Sequence, residues 1–391
     1  MLSLRAGGFT FSDGLLAASL GLLIVAVAGR RFEKPDGVIQ FALILGLIGV
    51  FASEWRDPHA LEGVAIVARL IFVWALWQWQ AKQVLLSDRH LAATIQAFIL
   101  GCAVSGIAAV AQYRYGFVIP GSELTSGLRA PGLAQHVNDQ GGALAVAFAM
   151  AVAFLAIDKT KRRIVYLVAA VGAAVGLMLS GSVTGMLSAI AAAVLVILRQ
   201  RFSVRSTVIA LIAAFGSYKV GSYFMAQTAE GEGADPITRF LMATGQQGTA
   251  EQNTLSSRLD TMRKGWDWIG ENPFIGRGFS SAQSIAVHGT PVHNILLGYW
   301  AAGGLLVVVA VTVLVGRGVY VAFKRIAPSI YREQIIAGMF ATVTFSMTAP
   351  IIYQRYFWFP FMLAFAAAAI TRRRAEENAE AEQPEPVPAR S

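Results

Sequence analysis

Apolar runs of membrane-crossing length recur eleven times along the chain, over about 12–29, 37–53, 61–80, 91–111, 140–157, 164–180, 183–198, 206–225, 294–315, 333–350 and 354–370. A hydrocarbon core roughly 30 Å thick takes about 17–25 residues of helix to cross. These runs predict an all-α polytopic membrane protein of about eleven transmembrane helices. Composition agrees. Of 391 residues, 55% are hydrophobic and 14% charged, against about 25% charged in an ordinary soluble domain. That is too little polar side chain to coat a water-exposed globule, which excludes a soluble enzyme, a disordered chain and a nucleic-acid binder. The single cysteine, Cys102, lies in an apolar run, so neither a disulfide framework nor a thiol metal site is expected. The first run lacks a basic leader and an Ala-x-Ala site and is followed by Arg30-Arg31. It reads as a span rather than a cleavable signal.

The net charge of +9 reports orientation. Twenty of the 32 Lys and Arg residues fall in one alternating set of connections: Arg30, Arg31, Lys34; Lys82, Arg89; Lys159, Lys161, Arg162, Arg163; Arg199, Arg201, Arg205; Arg317, Lys324, Arg325, Arg332; and Arg372, Arg373, Arg374, Arg390. The positive-inside rule puts that set in the cytoplasm, with the N-terminus outside. The chain then divides into 1–225 (spans one to eight, including an outer connection at 112–139), a large periplasmic loop at 226–292, spans nine to eleven at 293–370, and a cytoplasmic tail at 371–391. The tail, rich in Glu, Pro and Ala, reads as disordered.

An outer loop of this size in so economical a chain is where outer-face chemistry is expected. Its first part, 226–253, is Gly- and Gln-rich. A helix signal follows: Ser257 with Asp260 fits a capping box, and Leu255, Leu259, Met262, Trp266 and Ile269 form one apolar stripe. Asp260, Lys264, Asp267 and Glu271 take the opposite face, Arg258 flanks the stripe, and Asn272-Pro273 ends the helix. A glycine-punctuated turn, Pro273 to Phe279, leads back toward the membrane at Thr290-Pro291-Val292-His293-Asn294. On pattern alone this segment is a structural lid or part of a site.

His293 stands at the mouth of the ninth span beside Asn294, whereas His59, His90 and His288 lie in loops and His136 just ahead of the fifth span. His293-Asn294 is therefore either an interfacial helix cap or, for the histidine, a general base titrating near neutrality. The loop's seven carboxylates show no Asp-x-Asp pairing, so no metal is expected, and nothing implies a cofactor. Arg69 lies mid-span, where a charge usually faces a polar interior; Lys219 and Arg355 sit nearer the outer ends, where snorkelling accounts for them. Against the positive-inside bias, the outer connections keep Arg129, Arg239, Arg258, Arg263, Lys264 and Arg277.

Four segments resemble the O-antigen ligase and O-antigen polymerase superfamily of bacterial inner-membrane glycosyltransferases. Leu128-Arg129-Ala130-Pro131-Gly132-Leu133 with Val137-Asn138 is similar to its Arg-x-x-Gly-x5-Asn stretch, and Ser180-Gly181-Ser182-Val183-Thr184-Gly185 to its Ser-Arg-Thr-Gly turn. Arg258 through Gly278 resembles its helix leading into Asn-Pro-hydrophobic-hydrophobic-Gly-x-Gly, and His293-Asn294 with Gly303-Gly304 its His-Asn-x8–9-Gly signature. The match covers roughly 110–370. Two positions depart: Val183 stands where the turn's arginine is expected, and Met262 where a tryptophan is usual.

The resemblance implies a multi-pass inner-membrane enzyme facing the periplasm. Its donor is a glycan on a polyprenyl (undecaprenyl) diphosphate, and its acceptor is lipid A–core or a growing polysaccharide. It implies His293 and Arg258 as catalytic residues in a metal-independent inverting transfer, with Arg129, Arg277, Asn138 and Asn294 at the substrate. Arg69, Arg129 or Arg277 would supply the charge missing at Val183. Ligation of O-antigen to lipid A–core is the favoured activity, polymerisation from the same donor the alternative. A transporter of lipid-linked sugar is a further reading, disfavoured because no internal repeat is found.

Overall fold

The computed structural model describes residues 5–6, 9–27, 33–55, 60–116, 129–158, 160–200, 253–280, 285–287 and 290–382. The eighth apolar run, Lys219, Arg239 and nearly all of the Gly/Gln-rich segment lie outside them, as do the side chains of Leu255 and Ser257. Two-residue strands β1 (Arg5–Ala6) and β2 (Phe9–Thr10) pair ahead of α1 (Phe11–Val27), and α2 (Gly37–Glu54) follows. The third apolar run is one continuous helical rod, α3 (Ala60–Ile71), a π-helical turn at Phe72–Leu76 and α4 (Trp77–Val84). Then come α5 (Asp88–Tyr115), α6 (Val137–Ile157), α7 (Arg163–Leu179), α8 (Val183–Arg199) and α9 (Asn253–Glu271). A short ribbon of β3 (Ile285–Val287) and β4 (Thr290–Pro291) leads into α10 (Ile295–Lys324), α11 (Ile330–Ser346) and α12 (Arg355–Ala381).

Every apolar run within the described residues is helical. By length and composition α2, α5, α6 and α10 can each cross a membrane, and α7 and α8 are apolar but shorter. The packing shows why water is the wrong solvent. Helix α6, apolar all round and rich in Ala, is buried continuously from Gln140 to Leu155 among α5, α7, α8 and α11, as expected of a central helix. Around it, α2 turns Phe41, Ile44, Ile48 and Phe51 outward, α5 Val104 and Ile107, and α7 Ile164 and Val168. Apolar belts on this scale require hydrocarbon contact. Small residues let the helices approach closely: a Cβ at Gly106 of α5 would stand 2.1 Å from the Gly172 carbonyl of α7.

Helix starts follow local chemistry. Side chains of Asp36, Ser87, His136, Ser182, Asn294 and Ser329 accept backbone N–H groups at the first turns of α2, α5, α6, α8, α10 and α11, satisfying donors that have no intrahelical partner. At the far end of the chain, residues expected to be disordered instead prolong α12 to Ala381. Ala and Glu are strong helix formers, and Arg372 pairs with Glu376 one turn on at 3.5 Å.

The two ends of the bundle differ. The connections that carry the basic residues are tied by ion pairs between distant helices: Arg317 with Asp36, Arg199 with Glu333, Arg372 and Arg373 with Glu33, and Arg374 with Asp88. The opposite end collects the starts of α6 and α10, the α7–α8 turn, the end of α11 and helix α9. There the polar residues that the sequence singled out converge.

Candidate functional site

The segment before α6 builds the first wall. His136 caps α6 with its ring, Nδ1 accepting the Asn138 N–H at 3.1 Å. Asn138 in turn accepts from the Arg129 guanidinium at 3.3 Å, and Arg129 Nε donates to the Ser180 carbonyl at 2.8 Å. The Arg129–Asn138 spacing visible in the sequence is thus a single hydrogen bond, and it fastens this segment to the α7–α8 turn. That turn passes through Gly181 at φ +60, and Ser182 caps α8 by accepting the Gly185 N–H. The guanidinium of Arg129 therefore lies on the turn whose usual arginine is replaced by Val183.

Helix α9 brings the second wall. Arg258 Nη1 donates to Thr184 Oγ1 at 2.6 Å, and Thr348, from the α11–α12 connection, donates to the same oxygen at 3.1 Å. One turn on, the Thr261 hydroxyl donates to the Arg258 carbonyl at 2.8 Å and meets His293 Nδ1 at 3.2 Å. A threonine hydroxyl has one proton. Since the Arg258 carbonyl takes it, Thr261 is an acceptor toward the ring, so Nδ1 carries the imidazole proton and Nε2 the lone pair. His293 is 8% exposed. Burial, the neighbouring Arg258 charge and His136 together pull its pKa down to about 4, against a smaller upward pull from the Pro291 backbone. At neutral pH the ring is an uncharged base.

The face that α9 buries differs from the expected stripe. Thr261, Gly265, Trp268 and Ile269 pack inward, with Trp268 and Ile269 against Val292 and Ala301, whereas Leu259 is 47% and Trp266 55% exposed. The helix also begins at Asn253, so Ser257, the expected cap, lies inside it. Periodicity marked a helix here, but the inward face goes with Thr261, and Arg258 and Thr261 bond to residues on other elements. An outward apolar stripe is tolerated at a membrane interface.

Beyond α9, two glycine motifs form a single joint. Gly304 takes φ +76 and breaks the helical path of α10. The freed carbonyls of Ala301 and Ala302 accept the N–H groups of Arg277 and Gly278, and Leu305 N–H returns to the Pro273 carbonyl. A Cβ at Gly276 would lie 2.0 Å from the Ala302 oxygen, and one at Gly304 2.2 Å from the Phe274 oxygen. Glu54 at the end of α2 accepts the Phe279 N–H and closes the turn from the other side. The joint fixes where α9, and hence Arg258, stands.

The remaining expected residues fall around this centre. Asn294 accepts from Leu296 and Leu297 N–H and donates to the Met347 carbonyl at 3.1 Å. It caps α10 and ties it to α11, so the interfacial-cap reading holds for this side chain. Arg277 stacks over Trp268 at 4.7 Å and lies 3.7 Å from Glu271. Arg69 stacks over Tyr353, 4.9 Å to the ring centre, on the connection that also supplies Thr348. Sequence reasoning missed Thr184, Thr261, Thr348 and His136. Thr184 lay inside a recognised motif and Thr261 one turn after Arg258; Thr348 carried no local signal.

A helical bundle with outward-facing apolar belts and helices long enough to cross a bilayer has the make-up of a membrane protein. Residues 137–312 match the family model described as O-antigen ligase, and this segment of the chain is similar to that family. The matched segment runs from the start of α6 past the Gly304 break and contains Thr184, Arg258, Thr261 and His293. No curated protein matches the chain.

Proposed function

We propose that this protein is a glycosyltransferase of the periplasmic membrane face, with eleven spans and its large loop outside. It moves a glycan from polyprenyl diphosphate to an acceptor sugar hydroxyl. The observation that carries this reading is the chain Thr184–Arg258–Thr261–His293, which sets a fixed guanidinium beside a neutral imidazole. Guanidinium groups match phosphate oxygens in two-point contacts and stay charged, so Arg258, with Arg129 on the adjoining turn, suits a diphosphate leaving group. His293 Nε2 takes the proton of the acceptor hydroxyl as its oxygen bonds to C1. The C1–O bond to the diphosphate breaks with its electron pair staying on phosphate, inverting C1. A diphosphate seated on Arg258 offsets the charge that depresses His293, so the base strengthens once the donor is bound.

Ligation of O-antigen to lipid A–core is the activity proposed, because a single dominant loop upstream of His-Asn fits that pattern; polymerisation would use the same donor and the same residues. The test incubates purified protein with a polyprenyl-diphosphate-linked glycan, with and without lipid A–core. Product only with lipid A–core supports a ligase, and a ladder on polyprenyl diphosphate a polymerase; no transfer in either arm overturns the reading. Transfer is expected to survive EDTA. Loss that magnesium or manganese restores would refute metal independence.

A further inference from the structure

We propose that Thr348 is a further substrate-contacting residue of this site, its hydroxyl a hydrogen-bond donor to a phosphate oxygen of the donor lipid. The inference rests on the function proposed above and on how two threonines share their protons beside Arg258. Thr184 Oγ1 accepts Arg258 Nη1–H at 2.6 Å and lies 3.1 Å from Thr348 Oγ1. The two hydroxyls hold two protons, and one hydrogen bond joins them. Among the described residues no other acceptor meets either oxygen, so one O–H donor is left over. Thr184 is 6% exposed, whereas Thr348 stands open to the surface. Hydroxyl protons rotate to suit their partners. With an anion against Thr348, donation runs from the guanidinium to Thr184, from Thr184 to Thr348, and from Thr348 to the anion. Each bond in such a chain polarises the next.

Thr348 is tied to both halves of the site. Through Thr184 it is two hydrogen bonds from Arg258. Beside it, the Met347 carbonyl accepts the side-chain amide of Asn294, the residue after His293, at 3.1 Å. Two successive residues at the end of α11 are thus fastened to the elements that carry the cation and the base. As the bond from C1 to the diphosphate oxygen breaks, its electron pair stays on phosphate, and a preorganised donor stabilises the growing charge. Thr348 keeps its proton: the one transferred passes from the acceptor hydroxyl to His293.

Thr348→Val keeps the shape of the side chain and removes the hydroxyl; Thr348→Ser keeps the hydroxyl. Both should melt with the wild type, since the residue is exposed. With a polyprenyl-diphosphate-linked oligosaccharide and lipid A–core as substrates, Thr348→Val is expected to lose about 10–100-fold in kcat, the worth of a hydrogen bond to a charged group. Thr348→Ser should transfer near the wild-type rate. Neither variant should change the KM for lipid A–core or the acid limb of kcat/KM. A wild-type kcat in Thr348→Val, or equal losses in both variants, would overturn the proposal. So would a raised KM for lipid A–core, which assigns the contact to the acceptor. An acid limb moved upward would show Thr348 acting only by holding Arg258 beside His293, and would overturn it too. Absence of transfer by the wild-type protein would instead overturn the functional reading beneath it, and this inference with it.

Discussion

At the scale of single residues, the site depends on which nitrogen of His293 is protonated. Thr261 decides that with one hydroxyl, and its replacement by the isosteric Val leaves a buried N–H without its acceptor. Thr261→Val is therefore expected to lower the transfer rate about 10²-fold while the fold survives, because the ring loses its fixed tautomer. Substituting Ala for His293 or for Arg258 should abolish transfer yet leave membrane insertion and expression intact; near-wild-type transfer by both would refute the assignment. The pH dependence carries a sign. The groups facing His293 are Arg258 and His136, which lower its pKa, and the Pro291 backbone, which raises it; burial dominates, and the outcome is about 4. The acid limb of kcat/KM, which reports the free enzyme, should lie near that value and well below 6.5. The limb of kcat should lie higher, since a bound diphosphate offsets Arg258. Acid limbs of both profiles centred near 6.5 would contradict a buried, Arg-flanked base.

At the scale of elements, the joint between the turn after α9 and the break in α10 fixes the position of Arg258. Two Gly-containing motifs, separated by some twenty-five residues, prove to be the two halves of one backbone contact. Gly304 needs positive φ and has a carbonyl where a Cβ would stand, so Gly304→Ala combines strain with a clash and should cost at least about 2–3 kcal/mol. Gly316, twelve residues further along α10, has nothing within 4 Å of its Cβ position; Gly316→Ala should melt at or slightly above the wild-type temperature. Equal melting temperatures for the two variants in detergent would show that the break is not structural. Legibility differs here by element. The helical runs were readable because length and apolarity are local, whereas the inward face of α9 was not, because it is set by Thr184 and His293 on other elements.

At the scale of the whole molecule, the charge asymmetry seen in the sequence becomes an architecture, with ion pairs tying helices at one end and a cationic site at the other. Asp36 illustrates the first. It caps α2 and holds Arg317 of α10 at 2.7 Å. Burial alone would raise its pKa, but the hydrogen bond and charge of Arg317 and the N–H groups of Ile39 and Val38 outweigh this and keep it below 3.8. A carboxylate so depressed stabilises the fold above its unfolded pKa and loses that contribution as pH falls through its folded one. Asp36→Asn keeps the cap and removes the pair. It should cost about 1–2 kcal/mol at neutral pH, a partly exposed pair being worth less than a fully buried one. The wild-type advantage should shrink below about pH 4, and transfer should be unchanged, because the pair lies at the opposite end from His293. An Asp36→Asn deficit independent of pH would assign the loss to packing instead.

The sequence by itself determined the class of solvent, the helical runs and which connections carry the positive charge, because hydrophobic length and net charge are properties of contiguous residues. It also placed Arg129, Asn138, Arg258 and His293 in motifs that resemble a known family. The tertiary structure decided the rest: that Arg129 bonds to the turn preceding Val183, that Asn294 serves as a cap, and that Arg258 and Thr348 meet at Thr184. It also brought Thr261 against the Nδ1 side of the His293 ring. Each of these depends on hydrogen bonds between residues far apart in the chain. Such bonds leave no periodic trace in the sequence, since the energy of each resides in the approach of two helices rather than in either helix alone.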